Sequence, residues 1–240
     1  GERLTRTLEW IEREMKANQL IGKHSFPKAG GLVLDWQYTD ANASAWEPDR
    51  REYRYEPDRF TPEEDDFIFP LDRGALIRSW GDLDDSSESW NVDFTLPLEL
   101  SGSTDLAIKT GFNEVNKSRL SVLRKYSFEA RGPAGTNIDL RRNLSLGDVI
   151  FDETILPEGW EIFENTGRND NYTAGAKTEA WHLGLDLNVG DSWRFGAGFR
   201  EEDFFQSVVT LDIFGLDPII AESTLDLDDT FPFATLTWIK

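Results

Sequence analysis

The 240-residue chain has no cysteine and only two histidines. Disulfides and thiolate metal centres are therefore excluded, and a nucleophile–histidine triad finds little support. Basic residues are scarce beside acidic ones: 25 Lys and Arg against 45 Asp and Glu give a net charge of −20. A chain so negative cannot hold nucleic acid through phosphate contacts, so that class of partner is excluded. No apolar run approaches the roughly 20 residues of a membrane helix. That absence leaves β-barrels open, because alternating strands keep the average hydropathy low, and the mean hydropathy here is −0.49. No leader-like stretch stands ahead of Glu2, so the expectation is a mature segment or a fragment.

Alternation is what the sequence has in quantity. Over residues 177–203, Trp181, Leu183, Leu185, Leu187 and Val189 alternate with His182, Gly184, Asp186, Asn188 and Gly190. Past Gly190-Asp191, Trp193, Phe195, Ala197 and Phe199 alternate with Arg194, Gly196, Gly198 and Arg200. A side-chain period of two with a Gly-Asp turn predicts a β-hairpin with one apolar and one polar face. Residues 32–39 read as another strand. Residues 89–100 read as the cleanest one, with Trp90, Val92, Phe94, Leu96, Leu98 and Leu100 on one side and Pro97 marking a bulge or strand end. Residues 106–128 and 231–240 complete the set. Residues 4–26 carry helical spacing at Leu4, Leu8, Ile11 and Met15, yet a five-residue turn ties them to the strand at 32. Such a short link favours an antiparallel strand partner.

The connections sort by length. Short turns fall at residues 27–31, 101–105 and 190–191. Long stretches fall at 45–87, 131–170 and 211–230, the first being a long loop or strand extensions joined by one. Short and long alternate strictly, the plan of an up-and-down membrane barrel with short turns on one rim and long loops on the other. The long stretches hold acidic groups, Glu63–Asp66, Asp82 to Glu88 and Asp226 to Asp229, which would collect on the outer rim.

At this point the residues resemble a family. WRFGAGFREEDFFQSVVTLDIF and PIIAESTLDLDDTFPFATLTW resemble paired barrel strands of TonB-dependent outer-membrane receptors, with Phe231-Pro232 and Trp238 at the Leu-Pro and Tyr places of the second segment. LIGKHSF, GLVLDW, the Glu47-Pro48-Asp49-Arg50 step and the pairing of FTLPLEL with IKTGFNEVNKSR are similar to the same family, in the family's order. The resemblance implies an all-β antiparallel meander forming part of a large transmembrane barrel, residues 1–240 being about seven strands of it. The family's plug domain, its TonB box and the rest of its roughly 22 strands are not in this sequence, so an internal piece of the receptor is expected. The implied function is import of a scarce solute (siderophore, cobalamin, haem or oligosaccharide) across the cell outer membrane of a Gram-negative bacterium. The implied partners are outer-membrane lipid, the plug of the same receptor, the TonB energy-coupling protein and a small solute of unknown identity.

On this reading Asp35, Asn91, Asp93, Lys109, Asn113, His182, Asp186, Asn188, Arg194 and Arg200 line the lumen, where they either touch solute or solvate and bond the plug. His182 among acids either joins a metal site or is structural. Asp226, Asp228 and Asp229 have the acidic density of a calcium loop without its glycine and spacing. Trp36, Trp90, Trp181, Trp193 and Trp238 form interfacial girdles rather than a ligand platform. Carboxylates are too many to single out a catalytic pair. The expectation is therefore a non-enzyme with no catalytic residue, no metal ligand and no cofactor. The rival is a soluble, acidic, tryptophan-rich β-sandwich that binds carbohydrate, with the same apolar faces closed into a dry core.

Overall fold

The computed structural model describes residues 3–58, 67–71, 74–142, 159–214 and 219–239. The described chain is almost entirely strand: β1 (Leu4–Leu8), β2 (Glu12–Phe26), β3 (Leu32–Pro57), β4 (Phe67–Ile68), β5 (Leu76–Ser101), β6 (Thr104–Ala130), β7 (Trp160–Glu164), β8 (Tyr172–Val189), β9 (Trp193–Leu211) and β10 (Ile219–Trp238). One five-residue helix, α1 (Gly132–Thr136), and two 3-10 turns interrupt them. The hydrogen-bonded order β1-β3-β5-β6-β8-β9-β10, with β2 and β4 on β3 and β7 on β6, is that of an antiparallel meander.

Residues 4–8 and 12–26 are strand and none of 4–26 is helical, so the tight turn at residues 27–31 outweighs the helical spacing. Gly31 N donates to Phe26 O at 3.2 Å to close that turn. β5 runs on through Pro97 to Ser101. The stretch 45–87 proves to be strand extension: β3 reaches Pro57 and β5 begins at Leu76. Residues 219–230 also differ from expectation, because β10 pairs with β9 through them, Asp228 opposite Asp203 and Asp229 opposite Glu202. The acidic groups at 82–88 and 226–229 therefore stand on strands and not in loops. The ladder satisfies the backbone whatever the side chains are, so a wet strand needs no apolar face to advertise it. Glu63–Asp66 lie outside the described residues.

The chain divides into two compact units. The first is Gly1–Arg13, Ser44–Leu83 and Ser121–Asn171. Its β1 pairs with residues 51–55 of β3, and β7 pairs with residues 126–130 of β6. It holds the buried cluster Tyr53, Tyr55, Phe69, Ala75, Leu76, Phe128, Ala130 and Trp160. Phe69 meets Tyr55 and Trp160 edge-on, at centroid distances of 5.4 and 5.5 Å, the geometry aromatic quadrupoles prefer. Asp49 is the one non-glycine described residue with positive φ, 57°. Its carboxylate accepts from Arg51 and from Arg78 Nε at 2.6 Å, which repays the left-handed backbone. Burial raises the Asp49 carboxyl, but the two guanidiniums outweigh it and hold the group below its ordinary value.

The second unit is Glu14–Ala43, Asp84–Leu120 and Tyr172–Lys240. Here β8 pairs with β9 from Tyr172↔Thr210 to Val189↔Trp193, and β9 with β10 as far as Trp193↔Trp238. Gly190 takes φ 58° in the β8–β9 turn, where a Cβ would be strained, and its N–H donates to Ser103 O at 2.6 Å. Opposed residues share a face, so the register alone puts Leu185 with Ala197 and Leu187 with Phe195 and Leu236. That face stays open: Leu185, Phe195 and Leu236 are 45, 43 and 62% exposed. No second sheet covers it among the described residues, and none of it belongs to the buried aromatic cluster. The dry core of the sandwich alternative is not found among the described residues.

The open face has a sharp upper edge. On β3, β5, β6, β8 and β9 it ends in Tyr38, Trp90, Phe112, Trp181 and Phe199. Two residues farther along each strand, on the same face, stand Asp40, Glu88, Glu114, Glu179 and Glu201. Tyr38 and Trp90 pack at 4.4 Å and Trp181 and Phe199 at 5.0 Å between ring centroids.

Candidate functional site

Behind the apolar band, the opposite face of the second unit is polar and carries its own set of charged side chains. Three strands meet at Gly111 of β6, flanked by Asp93 of β5 and His182 of β8. A Cβ on Gly111 would press on Asp93 Oδ1 and lie 2.5 Å from His182 Cε1 and 2.8 Å from Val92 O. The missing side chain is what lets Asp93 and His182 approach across β6, Nε2 to Oδ1 at 3.6 Å. Asn91 Nδ2 donates to Asp93 Oδ2 at 2.5 Å from the same strand. Nearer the short turns, Lys109 Nζ donates to Asp186 Oδ2 at 2.5 Å, again bridging β6 and β8. Both groups of that pair are about half exposed, so water competes for them and their net attraction is small.

The ten residues read from the sequence are thus sorted. Asn91, Asp93 and His182 form one cluster, and Lys109 and Asp186 a pair. Asn188 stands opposite Arg194, and His182 opposite Arg200, in the β8–β9 register. Arg200 turns along its own strand to Glu202, Nη2 to Oε2 at 2.8 Å. Asp35 pairs with Lys23 of β2 at 3.1 Å. Asn113 Nδ2 donates to the Trp90 carbonyl at 3.1 Å. Asp226 and Asp228 occupy one face of β10 and Asp229 the other, so these three do not converge on a common point.

Farther along the same polar face lies a cavity of about 570 Å³ that the sequence reading missed. Its floor is built from Ala41, Ala43, Ala174 and Ala176, and Lys117, Arg119, Asp85 and Gln206 bound it. Arg119 donates Nε and Nη2 to the two Asp85 oxygens at 2.6 and 2.7 Å, a bidentate fork. That bond holds the Asp85 carboxyl below its ordinary value and raises the Arg119 guanidinium. Phe231 and Phe233 of β10 also stand on the polar face, opposite Arg200 and Gly198. The signal for all of these was parity. Lys117 and Arg119 continue the odd phase of Lys109, Gly111 and Asn113, and Phe231 and Phe233 are out of phase with Ala234, Leu236 and Trp238.

Alternating faces on a meander of this size can be compared with solved structures. The siderophore receptor PiuA from Acinetobacter baumannii superposes on 96% of this chain with a TM-score of 0.53 and 11% sequence identity. The fold is that of a receptor β-barrel. The ferric-catecholate import receptor Fiu from E. coli K12 also matches over 96% of the chain, at 12% identity and a TM-score of 0.42. This chain spans 30% of the length of each of these two receptors. No family model matches the sequence, and no curated protein does. The likeness is one of fold alone; the choice of solute resides in individual side chains and does not follow from it.

Proposed function

We propose that this chain is part of the barrel wall of a TonB-dependent receptor in the outer membrane of a Gram-negative bacterium, and that the receptor imports a scarce solute and is not an enzyme. The observation that carries the reading is the open apolar face. Its bands, such as residues 90–100 of β5 and 181–189 of β8, match the roughly 9–11 residues of a tilted membrane crossing. An apolar surface of that extent needs an apolar solvent or partner, and lipid supplies it along every strand at once. The polar face then looks into the lumen. Asp35, Asn91, Asp93, Lys109, Asn113, His182, Asp186, Asn188, Arg194 and Arg200 line the wall against a plug and the passing solute, and the cavity between Lys117 and Gln206 belongs to the same path.

PiuA is a siderophore receptor. A ferric siderophore is accordingly the first solute to try, with cobalamin, haem and oligosaccharide next. The partners on this reading are membrane lipid, the plug and the TonB energy-coupling protein. The experiment is uptake of a labelled solute panel by cells carrying the intact receptor, with and without the proton-motive force. Energy-dependent uptake of one solute is expected. A receptor absent from the outer-membrane fraction, or uptake indifferent to de-energisation, would sink the reading.

A further inference from the structure

We infer a second binding site on the apolar-face side of the sheet, for the sugar headgroup of a membrane lipid. It rests on the proposed reading only for which face meets lipid. Directly past the aromatic edge at Tyr38 and Trp90, on the same side, the second unit is hollowed into a trough of about 540 Å³. Its lining includes Asn42, Ser86, Asn116, Ser118 and Ser207, with Phe205 as an apolar wall. Ser86 and Ser118 share a hydrogen bond at 2.8 Å across β5 and β6. At its rim the acids Asp40 and Glu88 outnumber the one base on that side, Lys177.

Each part of that lining has a counterpart in a sugar. Hydroxyls and carboxamides both donate and accept, as every sugar hydroxyl does, and Phe205 offers a flat apolar surface to the C–H face of a pyranose. A bare phosphate fits poorly, because Glu88 and Asp40 oppose it and Glu114 stands beside Asn116, which donates to it at 2.7 Å. Glu88 is held in place as the acceptor of Tyr38 Oη at 3.1 Å. A free sugar could meet the same groups. The position commits the site to a lipid, because a headgroup whose acyl chains lie along the apolar face below Trp90 arrives at this height already anchored.

The test uses the intact receptor in nanodiscs of phosphatidylethanolamine doped with a diglucosamine glycolipid, counting retained glycolipid by native mass spectrometry. Asn116→Phe and, separately, Ser207→Trp fill the trough at residues that line it and not the polar-face cavity. We expect retention by either variant to fall about tenfold, an equilibrium shift of about 1.4 kcal/mol, with membrane insertion and solute uptake intact. Undiminished retention by both variants overturns the site. Equally tight binding of soluble, chain-free diglucosamine overturns the assignment to lipid. Failure of the wild-type receptor to insert overturns the membrane reading itself, which separates the two.

Discussion

Gly111 is the residue whose replacement says most about the polar face. Valine there would force Asp93 and His182 apart, and overpacking of this kind costs about 1–3 kcal/mol. The expected result for Gly111→Val is a lower thermal unfolding midpoint in detergent. Lys109→Ala should move that midpoint far less, because a half-exposed ion pair is worth under about 1 kcal/mol. A larger loss for Lys109→Ala than for Gly111→Val would contradict the packing account. The Asp85–Arg119 fork has a signed pH dependence. Its carboxyl is depressed in the fold, so its contribution is complete above the unfolded carboxylate range and is lost as pH falls through the lowered value. Acid titration of the wild type and Asp85→Asn should show their stabilities converging at low pH, with the wild type ahead at neutral pH. Parallel curves would remove Asp85 as the group responsible.

At the scale of the strand, neighbours in sequence face opposite solvents. Leu185→Arg puts a cation on the open apolar face in the middle of its band, a change that costs roughly 2–4 kcal/mol in lipid. Asp186→Ala, one residue on, loses only the exposed link to Lys109. Folding yield into vesicles should drop for the first and hold for the second, and equal damage would argue against a lipid-facing side. In the first unit Phe69 is fully buried between Tyr55 and Trp160. Phe69→Ala should therefore cost about 3–5 kcal/mol, read as earlier proteolysis of the segments around residues 67–71 and 159–164. These strands also mark what was legible. Period two announced β5, β8 and β9, because one side of each is apolar over residues 90–100, 181–189 and 193–199. It did not announce residues 219–230, where Asp226, Asp228 and Thr230 share a face with Ser207 and Asp203 while Leu225 and Leu227 fall on the other, out of phase with Ala234, Leu236 and Trp238. Nor did it announce residues 50–57: alternation in β3 changes phase at Asp49, after which Tyr53 and Tyr55, odd-numbered, take the apolar role that even-numbered Trp36 and Tyr38 play earlier. Of the polar face, single charged residues were legible by parity. The approach of Asp93 to His182 was not, since it depends on strands far apart in sequence and on an empty position at Gly111.

For the whole molecule the excess of 20 negative charges matters most. Carboxylates at the edge of the apolar face and on the strands beyond it give a field that attracts cations and weakens over a Debye length of about 8–10 Å. Association of a cationic solute with the intact receptor should slow as ionic strength rises, and joint neutralisation of Glu179 and Glu201 to amides should flatten that dependence. A rate indifferent to both would leave these groups the role of solvation alone. The aromatic-then-acid edge has a further consequence, in the choice of host bilayer. From Trp181 to Val189 the apolar band of β8 is about 27 Å long at roughly 3.4 Å per residue, or about 21 Å measured across a membrane at a tilt of about 40°. Glu179 fixes the upper limit of that measure, since sliding deeper would draw a row of carboxylates into hydrocarbon. A thick bilayer must therefore thin around the protein, at a cost of fractions of a kcal/mol per Å of mismatch. Vesicles of short-chain lipid should accept the refolding receptor faster than long-chain ones. The ruler that sets this preference is carried by the strands themselves.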